Sequence, residues 1–208
     1  VEGKKLGINS RKNFPKKTLM DPLLTMSAPE GAVISSAMDT LVHCIDSFGS
    51  KKNTFLSKIY SIAGFQKTFT ALRKSDLAVP DSRLDLAIGS VLGVTALMNS
   101  GDGPTNGFAY YFGVKNKIPH GLAGGIFLKE VMLWNYQNGF SDYSKLVENE
   151  FQGSVNDQNE YLFSELNSLY KRFDIPNLSN YGYSKSDINN LAKESSEALS
   201  GSFNGNPV

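Results

Sequence analysis

The chain has 208 residues, with 21 Lys+Arg against 20 Asp+Glu, a formal net charge of +1, one cysteine and two histidines. That length suits one domain, or one plus a fragment of another, and 40% hydrophobic with 20% charged residues argues against wholesale disorder. The lone Cys44 excludes an intrachain disulfide framework and a cysteine zinc cluster, the near-zero charge gives no global pull toward nucleic acid, and imidazole chemistry must use His43, His120 or both.

Residues 1–30 are set apart from the rest. Basic Lys4, Lys5, Arg11, Lys12, Lys16 and Lys17 alternate with Gly3, Gly7, Asn9, Ser10, Pro15 and Pro22, which predicts loop with one or two short strands. The basic run is most simply a solvated surface, with phosphate or nucleic-acid binding as the minor alternative. No apolar core of a secretory leader stands in Val1 to Lys17, so a reducing, cytoplasmic setting is expected.

From Ser35 or Ser36, as a possible N-cap, Met38, Leu41, Val42, Ile45 and Phe48 recur at helical steps. Phe55, Ile59, Ile62, Phe65, Phe69 and Leu72 mark a second helix entered through Asn53-Thr54. Pro80 opens a third through the apolar stretch Leu86 to Met98, which is shorter than the ~20 residues of a membrane span and reads as a core helix. The glycine-rich stretch Ser100 to Lys117 predicts loop or interrupted helix. Pro119 then sits at the first turn of a helix from about His120 to Asn135. Leu162, Leu166, Leu169 and Phe173 mark another, closed by Asp174-Ile175-Pro176, and Ile188, Leu191, Ala192 and Leu199 a last one, before a loop from Gly201 to Val208. The fold class is mainly α: a bundle of six or so helices behind a short N-terminal loop/strand segment.

Asp39 and His43, four residues apart, share a face of the first helix. A carboxylate and an imidazole are two-thirds of a facial metal site, and the bland alternative is a surface Asp–His hydrogen bond. At His120 the helix N-terminus favours the neutral imidazole that binds metals, and a local cap is the competing role. Cys44 reads as a small buried hydrophobe, and Trp134 and Tyr136 as core aromatics.

The combination of motifs resembles the iron-containing (group III) alcohol dehydrogenase family, in its C-terminal helical domain. Asp21-Pro22-Leu23-Leu24-Thr25 is similar to the family's D-P-x-L-T segment, and Ser36 to His43 to its G-M-D-A-L-x-H helix. Gly103-Pro104-Thr105-Asn106-Gly107-Phe108-Ala109-Tyr110, with Gly113 and Pro119-His120-Gly121, fits its H-x-x-x-H-x9-H-G spacing. Phe173-Asp174-Ile175-Pro176, Leu178, Gly182, Asp187-Ile188, Leu191-Ala192 and Asn206-Pro207 continue the likeness, which runs from about Lys5 to the end.

The resemblance implies the helical domain of the dehydroquinate synthase-like/iron alcohol dehydrogenase fold. Residues 1–30 would be a remnant of the nucleotide-binding domain and 31–208 the helical metal and substrate domain. The α/β domain that binds NAD or NADP would be absent from this chain. Asp39, His43 and His120 match three metal ligands of the family, and Asn106 stands where a third histidine ligand would be. Tyr110 stands where the family has a histidine beside the nicotinamide, which gives it a catalytic and cofactor-contacting role. Phe108, Tyr111 and Phe112 would shape the substrate pocket. The implied function is a metal-dependent (Fe, Zn, Co or Mn), NAD(P)-linked alcohol/aldehyde oxidoreductase, open to a polar substrate such as a sugar acid. Its partners would be that small molecule and, as an assembly, a homodimer, with neither nucleic acid nor membrane. The altered ligand set leaves a metal-free or inactive relative, kept as a structural or interaction module, as the alternative.

Overall fold

The computed structural model describes residues 11–13, 15–74, 76–198 and 205–208. Among them are seven α-helices and no strand. They are α1 (Glu30–Gly49), α2 (Phe55–Lys74), α3 (Pro80–Ser100), α4 (Pro104–Asn116), α5 (His120–Gln137), α6 (Val155–Arg172) and α7 (Ile188–Ala198). The described part of the N-terminal segment holds two 3-10 turns, Arg11–Asn13 and Pro22–Thr25, the second capped by the Asp21 side chain. Lys4, Lys5 and Leu199, named from the sequence, lie outside the described residues.

α1 is the central element and packs on α2, α3, α4 and α5. Its apolar positions Met38, Leu41, Val42, Ile45 and Phe48 are all buried. Each such side chain removed from water is worth about 1.5–3 kcal/mol, so this stripe rather than local propensity holds the helix in place. α1 starts at Glu30, before the expected Ser35 or Ser36. Pro29 precedes it, and the Glu30 carboxylate lies at the positive end of the helix dipole, a start signal that needs no serine cap.

The glycine-rich segment after Ser100 is the main departure from the sequence reading. Gly101 has φ +77° and turns the chain, but Pro104 to Asn116 is then continuous helix, with Pro104 at its first turn and Lys117 in the left-handed region closing it. Trp134 is also not core. It is 52% exposed, because the buried face of α5 runs through Gly121, Gly124, Gly125, Leu128, Met132 and Asn135 and leaves Trp134 off it. Cys44 is fully buried as expected, and burial pushes its thiol pKa up.

The α1–α2–α3 junction is tight enough to require glycine. A Cβ on Gly64 would lie 2.9 Å from Cys44 Sγ and 3.1 Å from both the Gly89 carbonyl oxygen and the Gly93 amide nitrogen. Beyond α5, the last described residues fold back onto the bundle: Lys51 N–H donates to the Gly205 carbonyl at 2.8 Å and Asn206 Nδ2 to Asn135 Oδ1 at 2.8 Å. No single helix among the described residues is long and apolar enough to cross a membrane. Gly64→Ala is expected to cost about 1–3 kcal/mol by overpacking. Gly31→Ala, with nothing within 4 Å of the new Cβ, should be neutral or stabilise by up to ~1 kcal/mol. Thermal unfolding of the two variants checks the contrast.

Candidate metal centre

The site is built by two helices crossing at very short range. An added Cβ on Gly121 would lie 1.9 Å from the Ser35 carbonyl oxygen and 2.7 Å from Asp39 Cβ, so only glycine lets the first turn of α5 approach α1. Gly124 against Val42 and Gly125 against Met38 continue the contact. The residue before Gly121 is His120, and this approach brings it to Asp39.

The donor atoms then converge. Asp39 Oδ1 is 3.6 Å from His43 Nε2 and 3.6 Å from His120 Nε2. Ligand atoms of all three residues lie within 4.8 Å of one another. At 3.6 Å Asp39 Oδ1 forms a hydrogen bond with neither imidazole. Two donors on one ion at ~2.0–2.2 Å, spread at tetrahedral angles, would be roughly 3.3 Å apart, close to what is found. Asp39 Oδ1 is a buried oxygen with no hydrogen-bond partner. A buried, unsatisfied anionic oxygen facing two imidazole nitrogens is a donor set suited to a divalent cation, so the residues present fit a metal.

Asn106 joins the cluster from α4. Its side chain is fully buried, and Oδ1 lies 2.9 Å from His120 Nε2. The Tyr110 ring, one turn further along α4, packs on the His120 ring at 4.7 Å between centroids. Burial, followed by the negative charge of Asp102, holds the Tyr110 hydroxyl above its ordinary pKa. The phenol is therefore protonated at neutral pH and able to donate.

Two acidic residues of the site were not singled out in the sequence. Asp46 is buried on α1, and its Oδ2 accepts the Asn106 backbone N–H at 2.8 Å. It thereby caps α4, whose own N-cap is Gly103 with no side-chain bond. Burial pushes the Asp46 carboxyl up to about 6, against the pull of the Asn106 and Thr105 amides. Its signal was present, since Asp39, His43 and Asp46 fall at steps of four and three along one face. Asp102 precedes α4 and accepts a hydrogen bond from Asn106 Nδ2 at 3.1 Å. Only its spacing of four from Asn106 could have pointed to it.

The expected substrate-pocket aromatics go elsewhere. Phe112 is core, edge-on to Phe127 and Tyr181. Phe108 stacks on Phe127 at 4.9 Å. With Tyr111 they border an apolar hollow of about 150 Å³ against α7, which none of Asp39, His43, Asn106 and His120 lines. α4 is a helix, which turns Phe108 and Phe112 roughly 160–200° away from Tyr110.

Residues 33–207 match the Fe-containing alcohol dehydrogenase family, C-terminal. The 1,3-propanediol dehydrogenase of Klebsiella pneumoniae is 24% identical over 196 residues, covering 91% of this chain and 51% of that enzyme. Among solved structures, a 1,3-propanediol oxidoreductase superposes with a TM-score of 0.80 at 22% identity, over 90% of this chain and 50% of that one. An archaeal halo-thermophilic Red Sea brine pool alcohol dehydrogenase gives 0.85 at 19% identity, over 99% and 54%. The chain thus spans about half the length of these relatives.

Because an added Cβ would lie 1.9 Å from a backbone oxygen at Gly121 but no nearer than 2.9 Å to any atom at Gly64, Gly121→Ala should destabilise by more than Gly64→Ala, beyond the ~1–3 kcal/mol usual for overpacking. Urea unfolding of both variants gives the order; equal or reversed costs would contradict the crossing described.

Proposed function

The chain belongs to the Fe-containing alcohol dehydrogenase family, in its C-terminal region, and from that membership we propose that it is the metal-binding half of an NAD(P)-linked oxidoreductase that interconverts small alcohols and aldehydes in the cytoplasm. The observation that carries the metal part is the buried, unpartnered Asp39 Oδ1 held 3.6 Å from two imidazole nitrogens. In this reading Asp39, His43 and His120 hold a divalent ion, with Asn106 Oδ1 as the fourth protein donor. When bound, the ion supplies Lewis acidity toward a substrate oxygen, which favours loss of the hydroxyl proton or polarises the carbonyl.

The chain's own residues set the terms. An amide oxygen is harder and a weaker donor than imidazole, so two oxygens with two nitrogens should bind Zn(II) less tightly than a three-histidine site and shift the preference toward harder ions. Tyr110, protonated and packed against the His120 ring, can donate a hydrogen bond to a substrate oxygen or contact the nicotinamide. A polar substrate, of the kind a sugar acid represents, suits these added donors.

The nucleotide-binding domain is assigned to the part of the relatives that this chain does not cover. Leu19, Leu23 and Leu24, which are 89%, 65% and 76% exposed, support a covering partner at this end of the molecule. A homodimer of the two-domain protein completes the reading.

The test is equilibrium metal binding by the chain. Zn(II), Co(II) or Fe(II) at a hundredfold its Kd should add about 2.7 kcal/mol, raising the unfolding midpoint by roughly 5–11 °C, reversed by EDTA. Asp39→Ala and His120→Ala should each abolish the rise. Failure of every divalent ion to shift the parent chain would favour the metal-free structural module instead.

A further inference from the structure

Asn106 is the unusual member of the donor set, because an amide has two unlike ends. The oxygen can face a cation, whereas the NH2 group presents hydrogens to it, and a half-turn about one bond exchanges them. A buried asparagine in this position serves as a ligand only if something fixes which end points inward.

The surroundings of Asn106 do so. Nδ2 donates to Asp102 Oδ1 at 3.1 Å, and a carboxylate can only accept, so this contact admits the NH2 end alone. The Asn106 side chain also hydrogen-bonds Tyr110. The opposite end, Oδ1, is thereby turned toward His120 Nε2 at 2.9 Å, and His120 Nε2 is in turn 3.6 Å from Asp39 Oδ1. Independently, the Asn106 main chain is anchored by its N–H to Asp46 Oδ2 at 2.8 Å, so backbone and side chain are each held by a different carboxylate. Asp102 is itself well placed for this. It lies between Gly101, whose φ of +77° sets the turn, and Gly103, where any Cβ would lie 2.5 Å from Asp46 Cγ. One turn before Asn106, it meets the side chain of the residue four positions on.

From this geometry we infer that Asp102 is a positioning residue for the metal centre, selecting the coordinating end of the Asn106 amide. The inference rests on the metal-centre reading above. Groups that orient a ligand without touching the ion commonly contribute ten- to a hundredfold in metal affinity, here about 10–100-fold by analogy with the hydrogen-bond partners of ligating histidines. The role is specific to an amide at position 106. With alanine there, no side chain is left for the Asp102 carboxylate to orient.

The experiment is Zn(II) affinity of the 208-residue chain at neutral pH, by competition with a chromophoric chelator, together with its unfolding midpoint without metal. Asp102→Leu should weaken Zn(II) binding about 10–100-fold and lower the metal-free midpoint by at most roughly 2–8 °C, the cost of one hydrogen bond left unmade. Asp102→Asn, which keeps an acceptor oxygen and drops the charge, should stay within about threefold of the parent, since the orienting hydrogen bond survives. In an Asn106→Ala background, Asp102→Leu should have no further effect. The inference is overturned if the parent binds Zn(II) but Asp102→Leu binds equally well. It is overturned too if Asp102→Asn falls as far as Asp102→Leu, or if Asp102→Leu costs as much again beside alanine at 106. A parent chain that binds no ion overturns the metal-centre reading itself, and this inference with it.

Discussion

Everything distinctive about this fold depends on how closely α5 can approach α1. The first turn of α5 is seated where a methyl group on Gly121 would lie 1.9 Å from the Ser35 carbonyl oxygen. Close packing tolerates no such overlap, so the glycine is a condition of the crossing rather than an ornament of it. Once the helices meet there, His120 has little choice of position, and its Nε2 comes to rest 3.6 Å from Asp39 Oδ1. The same crossing runs on through Gly124 and Gly125 against Val42 and Met38, so one contact serves both the site and the core.

α1 does the complementary work from its other residues. Its apolar stripe fixes it inside the bundle, and the face beside that stripe carries Asp39, His43 and Asp46. The first two offer donors. The third sits buried at the start of α4, where amide hydrogens otherwise without partners offset the penalty of burying a carboxylate. That arrangement turns a rigid helix into a template: what holds α1 still also holds Asn106 in the cluster. Sites carried by rigid, packed helices keep their donors in place more exactly than sites carried by loops.

How much of this could be read from residues alone follows from the range of the interactions. Pro80 and Pro119 mark helix starts by local stereochemistry, and α3 and α5 begin at or directly after them. Asp39 and His43 are neighbours on one helix, so their proximity is a matter of period. α4 was not legible as an unbroken helix, because Gly107 and Gly113 argue locally against one and its cap comes from Asp46, sixty positions away. Trp134 misled for a related reason, since the inward face of α5 is chosen by glycines packed on α1 and not by its largest apolar side chain. The spacing of Asn106 and His120 was visible, but the carboxylates that hold Asn106 at both ends were not, because hydrogen bonds between elements leave no periodic trace.

The proposed divalent-metal centre of α1, α4 and α5 takes two imidazoles, one carboxylate and one amide oxygen. Zinc K-edge X-ray absorption of the zinc-loaded chain tests it most directly. Stoichiometric zinc is expected, with a spectrum that shows two imidazole ligands and the remaining donors as oxygen at ~2.0–2.2 Å. Bound zinc with one imidazole or none, or no stoichiometric zinc, would contradict it.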